Sequence, residues 1–254
     1  MKLKALSHYD NDMDTRFGDC ILLYDEASLV VYDCGHSRHA QEVEDFLEKH
    51  SAIKVVDVVV SHNDSDHTGG VCELLNWLKD SGKYTVRVFA HQYLKYVDKI
   101  LDTVDDGRRN RESLKKSLLE KFNHIKEISV QLKCTLSDKN TILLCGDASP
   151  DYLHELDSYV YIQLPHHGQL DDGKAVFAKL GAKSYRKTYF ISDNSGSAAT
   201  SGGSADLTAY MKKEQYTAAY NTQNGIVDLP SSSASAVKDS TKGSVCLVDL
   251  DYLR

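Results

Sequence analysis

Four ionisable side chains lie close together at the end of an apolar run, within the segment SHNDSDHTGG at residues 61–70. They are His62, Asp64, Asp66 and His67. The preceding run IKVVDVVV is short, apolar and rich in β-branched residues, which is typical of a buried strand. Imidazole and carboxylate groups crowded at the end of such a strand would repel and desolvate one another unless cations neutralised them. The segment therefore predicts a metal centre.

Two later segments end in residues of the same chemical kind. The apolar run TILLCGD ends at Asp147, and the segment LPHHG contributes His166 and His167. We predict that these side chains converge with those of the first segment on one spot at the edge of the fold.

Together these segments resemble the metallo-β-lactamase superfamily. The run H-x-D-x-D-H-x-G-G is similar to the superfamily signature H-x-H-x-D-H, and VVYDCGH, TILLCGD and LPHHG match further motifs in the same order. The resemblance implies that Asp33 lies beneath the site, that Asp147 is a bridging ligand, and that a late histidine ligand comes from His166 or His167. The branch resembled is the metallo-β-lactamase domain of the bacterial competence DNA-uptake channel, which also begins with a Gly-Asp hairpin, compare RFGDCILLY.

The donor chemistry predicts one or two divalent cations. One cation would be held by His62 and Asp64, and a second by Asp66, His67 and either His166 or His167, with Asp147 between them. Two cations so placed lower the pKa of a bridging water, so that hydroxide is available at neutral pH, and they clamp the attacking and leaving oxygens of a displacement. A carboxylate in place of the usual second histidine favours Mn²⁺, and Zn²⁺ is the other candidate. Asp66, Asp147 and His167 are the expected catalytic residues.

One expected histidine has no clear counterpart. Many superfamily members place a histidine before the strand that precedes the Gly-Asp motif, and the nearest candidate here, His124, lies about one residue off that place. It is either a ligand or a helix-end residue, and without it the first metal site has fewer protein ligands. His36 and His39 follow Asp33 and could lie near the site, but we interpret them as surface or capping residues. His91 ends a strand and could approach the site, but we interpret it as a residue without a role there.

Hydrophobic periodicity predicts an α/β fold in which each half of the chain runs as strands followed by helices. In the first half, RFGDCILLY and SLVVYDCGH form a hairpin, and HAQEVEDFLEKH is a helix with Val43, Phe46 and Leu47 on its buried face. In the second half, ISVQLKCTL and TILLCGD form another hairpin, DYLHEL a short helix, and YTAAYNTQNGIVDL one strand. Two such halves predict a four-layer αββα sandwich, a single domain over 1–254 with a helical insertion at about 92–127.

Composition limits the classes of partner. The net charge of −7 argues against broad coating of nucleic acid, which needs a basic face, although bound cations could still hold a scissile phosphate. The dense basic segment at 108–111 is interpreted as a solvated helix face. No apolar stretch approaches the length of a membrane span, so we expect a cytoplasmic protein with buried, reduced cysteines.

The leading hypothesis is a phosphodiesterase or nuclease that acts on nucleic acid or nucleotides. A hydrolase of a small ester, such as a phosphocholine ester or a lactone, is the alternative that the acidic charge favours. A third possibility is an effector subunit controlled by a protein partner, which would bind through the insertion at 92–127.

Overall fold

The computed structural model describes residues 1–7, 18–91, 129–193, 204–216, 219–230 and 246–247. The predicted insertion at 92–127, and His124 with it, lies outside these residues. In the part of the chain described here, no helix is both long and apolar enough to cross a bilayer.

The first sheet has six strands. They are β1 (Lys2–Ala5), β2 (Ile21–Tyr24), β3 (Ser28–Tyr32), β4 (Val55–Val59), β5 (Thr85–Ala90) and β11 (Val227–Leu229). Their order is β11-β1-β2-β3-β4-β5, with β3, β4 and β5 parallel and the other pairs antiparallel. The predicted first hairpin is confirmed: Leu23 pairs with Val30, and the Asp25 side chain accepts hydrogen bonds from the Ala27 and Ser28 amides in the turn.

The second sheet also has six strands. They are β6 (Leu132–Thr135), β7 (Thr141–Leu144), β8 (Tyr161–Gln163), β9 (Thr188–Ile191), β10 (Ala219–Asn221) and β12 (Cys246–Leu247). Their order is β10-β9-β8-β7-β6-β12, with β7 to β10 parallel. The predicted hairpin of β6 and β7 is confirmed by antiparallel pairing of Leu132 with Leu144.

The described residues contain five α-helices. They are α1 (Ser37–Lys49), α2 (Ser65–Thr68), α3 (Val71–Ser81), α4 (Leu170–Leu180) and α5 (Ala205–Lys213). Val43, Phe46 and Leu47 of α1 are buried against the first sheet, as predicted. One apolar core fills the space between the two sheets, and another lies between the second sheet and helices α4 and α5. The predicted αββα sandwich is therefore confirmed.

Two local predictions were wrong. The segment YTAAYNTQNGIVDL is not one strand, because a 3₁₀ turn at Thr222–Asn224 and a left-handed Gly225 (φ 121°) break it, and its halves join different sheets. The Asn221 side chain accepts a hydrogen bond from the Gln223 amide, which stabilises this turn. The segment DYLHEL is not one helix: it contains the end of a 3₁₀ turn at Pro150–Tyr152 and the start of another at Leu156–Ser158, and the left-handed Glu155 (φ 50°) interrupts it.

Candidate metal centre

The Asp147 carboxylate lies between two groups of side chains. The outer set comprises His62, Asp64 and His166, and the inner set comprises Asp66, His67 and His167. Asp147 Oδ2 lies 3.6 Å from His62 Nε2 and 4.0 Å from His166 Nε2. Asp147 Oδ1 lies 3.5 Å from His67 Nε2 and 3.9 Å from His167 Nε2. The structure thus brings together all seven side chains that the sequence singled out.

The separations of Asp66 from the two inner histidines are close to those of a single metal site. Asp66 Oδ2 lies 3.2 Å from His167 Nε2 and 3.9 Å from His67 Nε2. With Asp147 Oδ1 they form a cluster of four donor atoms. In a tetrahedral zinc site with ordinary bond lengths, the donors are about 3.3 Å apart. The inner set can therefore close on one cation with small side-chain movements.

The outer set is more open to solvent. His62 Nε2 lies 3.7 Å from Asp64 Oδ2, and the side chains of Asp64 and His166 are 42% and 39% exposed. The His67 ring of the inner set is fully buried. We expect the outer cation to exchange more readily and to face the substrate.

Several donor atoms of the centre are buried without a hydrogen-bond partner. Within the described ranges, His62 Nε2, His67 Nε2 and Asp147 Oδ1 are in this state. Each such atom costs about 1–3 kcal/mol unless something binds it. All three face the interior of the cluster, so divalent cations would satisfy them. The residues present fit a metal centre, and a mixed imidazole–carboxylate set without thiolate suits both Zn²⁺ and Mn²⁺.

A buried carboxylate beneath the site orients His67. Asp33 is fully buried, and its Oδ2 accepts a hydrogen bond from His67 Nδ1 at 2.8 Å, while its Oδ1 accepts one from the Ser61 amide at 2.6 Å. A carboxylate on one ring nitrogen fixes the tautomer that leaves the other nitrogen for a metal. Asp33 therefore lies where the family resemblance placed it.

His62 is oriented indirectly through Ser61. The Ser61 hydroxyl donates to Asp33 Oδ2 at 2.8 Å, so towards His62 Nδ1, 3.1 Å away, it can only accept. The proton of a neutral His62 then sits on Nδ1, and Nε2 presents its lone pair to the cluster.

The two adjacent histidines diverge, one towards each set. Both His166 (φ 49°) and His167 (φ 52°) adopt left-handed backbone conformations. His166 Nδ1 lies 2.7 Å from the Asp172 carboxylate, and His167 Nδ1 lies 3.1 Å from the Ser192 carbonyl oxygen. Each ring is thereby anchored on its Nδ1 side and directs Nε2 towards Asp147. The sequence left open which of the two faces the site, and in the structure both do.

Asp19 was not among the residues predicted for the site. It is buried, its Oδ1 lies 3.3 Å from His167 Nδ1, and it accepts a hydrogen bond from the Ser192 hydroxyl at 2.8 Å. Asp19, His67 and His167 each offer a donor atom within 4.8 Å of the others. Asp19 nevertheless faces the Nδ1 side of His167, whereas the cluster lies on the Nε2 side, so we assign it an orienting role. The sequence signal that could have identified Asp19 is its position two residues before the buried strand β2.

The Asp-x-Gly motif at residues 33–35 packs against the loop at residues 61–70, which we call the ligand loop. A side chain at Gly35 would place its Cβ 1.8 Å from the Asp66 carbonyl oxygen, so only glycine fits. The Cys34 amide donates to the His67 carbonyl oxygen at 3.1 Å, and the Gly70 amide donates to the Cys34 carbonyl oxygen at 2.8 Å. This contact holds Asp33 directly beneath His67.

Three further histidines, His36, His39 and His91, lie outside the cluster around Asp147. His36 caps the N-terminus of α1, where its Nδ1 accepts a hydrogen bond from the Arg38 amide at 3.1 Å. His39 is buried on the inner face of α1, and His91 stacks on Phe89 after β5. The capping role expected of His36 is confirmed, whereas the surface or capping role expected of His39 is wrong, because this side chain is buried within α1.

The charges of the site shift the acid–base properties of its members. Burial lowers the pKa of His67, but the Asp33 and Asp147 carboxylates outweigh burial and raise this pKa to about 9. Burial raises the pKa of Asp66, but its hydrogen bond with His167 and the charges of His67 and His167 lower it overall. Burial and the neighbouring His67 lower the pKa of His62. Without cations, protons on the inner histidines therefore neutralise part of the acidic charge.

Metal binding is expected to release protons and to tighten as the pH rises. Since the pKa of His67 in the metal-free protein is raised to about 9, its Nε2 is protonated below that value, and a cation must displace the proton. Each displaced proton should strengthen binding about tenfold per pH unit, up to about pH 9. Chelator competition with Mn²⁺ at several pH values measures this slope. An affinity independent of pH between about 6 and 8 would contradict the cluster as the binding site.

Comparison with models of protein families finds a match. A family model described as the metallo-beta-lactamase superfamily matches residues 13–184, which is more than half of the 254-residue chain. No curated protein matches the chain significantly.

Solved structures that resemble the chain include two forms of one bacterial protein and a human enzyme. A Cronobacter sakazakii metallo-beta-lactamase with a HARLDQ motif is 18% identical over 55% of this chain and 60% of its own, with a TM-score of 0.29. The short form of human tRNase Z is 13% identical over 74% and 92% of the two chains, with a TM-score of 0.34. A mutant of the Cronobacter protein is 16% identical over 79% and 88%, with a TM-score of 0.32. The chain thus matches less than two thirds of the length of the first of these structures.

Proposed function

Because the chain belongs to the metallo-beta-lactamase superfamily of hydrolases, we propose that it is a metal-dependent phosphodiesterase acting on nucleic acid or nucleotides. The observation that carries the proposal is the position of Asp147, whose Oδ2 faces His62 and His166 and whose Oδ1 faces His67 and His167 at 3.5–4.0 Å. His62, His67 and Asp147 also offer donor atoms within 4.8 Å of one another. A carboxylate shared in this way is suited to hold two cations side by side. Such a pair, when bound, supplies an activated water at neutral pH and a clamp for both oxygens of an in-line phosphoryl displacement.

The protein side chains hold and aim the donors of this centre. Asp33 and Asp19 hold the rings of His67 and His167 from behind, so that both Nε2 atoms point inwards. The exposed Asp64 and His166 leave one side of the centre accessible to a substrate phosphate. This arrangement supports hydrolysis of an accessible diester rather than of a substrate enclosed in a deep apolar pocket.

A substrate panel tests the proposal. The purified protein is loaded with Mn²⁺ or Zn²⁺ and assayed on single-stranded DNA, RNA and bis(p-nitrophenyl) phosphate, with a phosphocholine ester and a lactone alongside. We expect metal-dependent cleavage of the phosphodiesters and little or none of the lactone. Turnover of the lactone alone, or of the phosphocholine ester alone, would overturn the nucleic-acid assignment in favour of a small ester.

Substitution of Asp64 should affect mainly the outer cation. Asp64→Ala removes an exposed donor, so we expect activity to fall at low Mn²⁺ and to recover partly at excess Mn²⁺, because mass action refills a weakened site. Asp64→His should shift the preference towards Zn²⁺, since imidazole is a softer ligand than carboxylate. Activity against metal concentration measures both effects, and Asp66→Ala in the buried inner set is the comparison that excess metal should rescue less. Equal rescue of the two alanine variants would argue against separate outer and inner sites.

A further inference from the structure

A strongly basic stretch follows the histidine motif. Residues 173–192 contain five basic residues and no acidic one, in a chain whose net charge is −7. These are Lys174, Lys179, Lys183, Arg186 and Lys187. This stretch is less conspicuous in the sequence than the basic segment at 108–111, because its residues are spaced along α4 and the turn after it rather than adjacent.

The same surface carries a row of stacked aromatic rings. The Tyr185 ring lies parallel to that of Tyr216 with centroids 4.6 Å apart and an interplanar angle of 4°, and Tyr216 stacks on Phe177 at 4.2 Å. Tyr210 of α5 lies 6.2 Å from both Phe177 and Tyr216. The row therefore bridges α4, the turn before β9 and the end of α5.

The Tyr185 end of the row is accessible and flanked by cations, whereas Phe177 is buried and Tyr216 lies between Tyr185 and Phe177. The Tyr185 side chain is 48% exposed although one face of its ring is stacked, and Tyr210 and Tyr216 are half-buried. Lys174 Nζ lies 5.1 Å above the Tyr210 ring, and Arg186 is exposed beside Tyr185. We call the surface formed by Lys174, Tyr185, Arg186, Tyr210 and Tyr216 the tyrosine strip.

Some of the neighbouring charges are already neutralised. Lys183 forms an ion pair with Asp157, and Lys213 lies 4.0 Å from the Glu214 carboxylate. Among the described residues, no salt bridge involves Lys174 or Arg186. The positive charges of Lys174 and Arg186 therefore remain available to a ligand.

The strip leads away from the metal centre. Helix α4 begins three residues after His167, and its first turn carries Asp172, which contacts His166. The helix has 11 residues and so spans roughly 16 Å. Lys174 lies near its beginning, and Tyr185 follows its far end. A chain bound at the centre could therefore continue along the strip.

We propose that the tyrosine strip binds single-stranded nucleic acid and holds the part of the substrate that extends beyond the metal centre; this inference rests on the proposed phosphodiesterase function. Aromatic rings stack on bases irrespective of sequence, and flanking cations track the phosphates, which is how single strands are bound without base pairing. A basic, aromatic surface on an otherwise acidic protein matches the charge of such a ligand. Unpaired bases are required, because a duplex keeps its bases stacked inside.

Binding by surface variants tests the strip directly. Fluorescence anisotropy follows a labelled single-stranded oligonucleotide of about 15 nucleotides on the full-length Asp147→Ala protein, which binds without cleaving. We expect Tyr185→Ala to weaken binding at least about fivefold and Tyr185→Phe to retain it, because phenylalanine preserves stacking. Arg186→Glu should weaken binding and lower the slope of log affinity against log salt by about one.

Matched controls separate the strip from general charge and aromatic content. Lys83→Glu makes the same change in net charge on the opposite outer layer, and Tyr152→Ala removes another exposed tyrosine. Both controls should bind the oligonucleotide as the parent does. Equal binding by Tyr185→Ala, Arg186→Glu and the parent would overturn the proposal, and so would equal losses in the strip and control variants.

The same variants distinguish the strip from the proposed function. On bis(p-nitrophenyl) phosphate, which is too small to reach the strip, Tyr185→Ala and Arg186→Glu in the active protein should match the parent, while their cleavage of the oligonucleotide should fall. Normal cleavage of both substrates by these variants would overturn the strip and leave the phosphodiesterase standing. Strip-dependent binding by a protein that cleaves neither substrate would overturn the phosphodiesterase and leave the strip standing.

Discussion

Replacement of Asp147 by alanine is expected to abolish turnover and to weaken the binding of both cations, with the fold retained. Its two oxygens face His62 and His67 at 3.6 and 3.5 Å, so a single substitution removes a donor from the outer set and from the inner set together. Loss of a residue that only orients a metal ligand costs roughly 10- to 100-fold in affinity or activity, and loss of a shared ligand should cost more. The three apolar cores do not depend on Asp147, so the melting temperature of the metal-free protein should change little.

Metal content, activity and melting curves of Asp147→Ala check this prediction. Asp151→Ala is the matched control, because it removes an aspartate four residues away whose side chain is 89% exposed. The control should keep the metal content and the activity of the parent. Full activity in Asp147→Ala would show that the cluster is not the reaction centre and would favour a non-catalytic effector subunit.

The ligand loop and the layers of the fold could be predicted because their signals are local. His62, Asp64, Asp66 and His67 lie in one short segment, where four ionisable groups after a buried strand have little other explanation. The apolar face of α1 and the turns of both hairpins follow from periodicity and turn residues, which do not depend on distant contacts. In such segments, local preference and tertiary structure agree.

What the sequence did not reveal depends on contacts between distant residues or on backbone geometry. Asp19 and His167 meet across 148 residues, and nothing near Asp19 indicates which side chain it will face. The divergence of His166 and His167 needs two consecutive left-handed residues, a conformation that is uncommon for any residue other than glycine. Serine is a common residue at the end of a strand. The role of the Ser61 hydroxyl in orienting His62 becomes evident only from its hydrogen bond to Asp33.

Asp33 offers the second test with a large expected effect, because it acts on the centre without contacting a cation. Its carboxylate accepts three hydrogen bonds, from the Ser61 amide, the Ser61 hydroxyl and His67 Nδ1. In Asp33→Asn, the side chain has one acceptor oxygen and one NH₂ donor. In either orientation, the NH₂ therefore faces a group that donates a hydrogen bond to Asp33 in the parent. If it faces His67, the imidazole is favoured with its proton on Nε2, the nitrogen that the inner cation needs.

We therefore expect Asp33→Asn to lower the metal affinity of the inner site, and with it the activity, by roughly 10- to 100-fold. Asp172→Asn is the informative comparison, since Asp172 Oδ2 lies 2.7 Å from His166 Nδ1 and the asparagine amide can still direct its oxygen, an acceptor, at that nitrogen. Titration of metal-free protein with Mn²⁺ measures both affinities, and NMR of the histidine ring nitrogens reports the tautomer of His67. A tautomer shift without loss of affinity would show that the inner histidine is not a ligand. If affinity falls equally in the two variants, the loss reflects removal of negative charge. A loss that acts through the tautomer of His67 is expected only in Asp33→Asn.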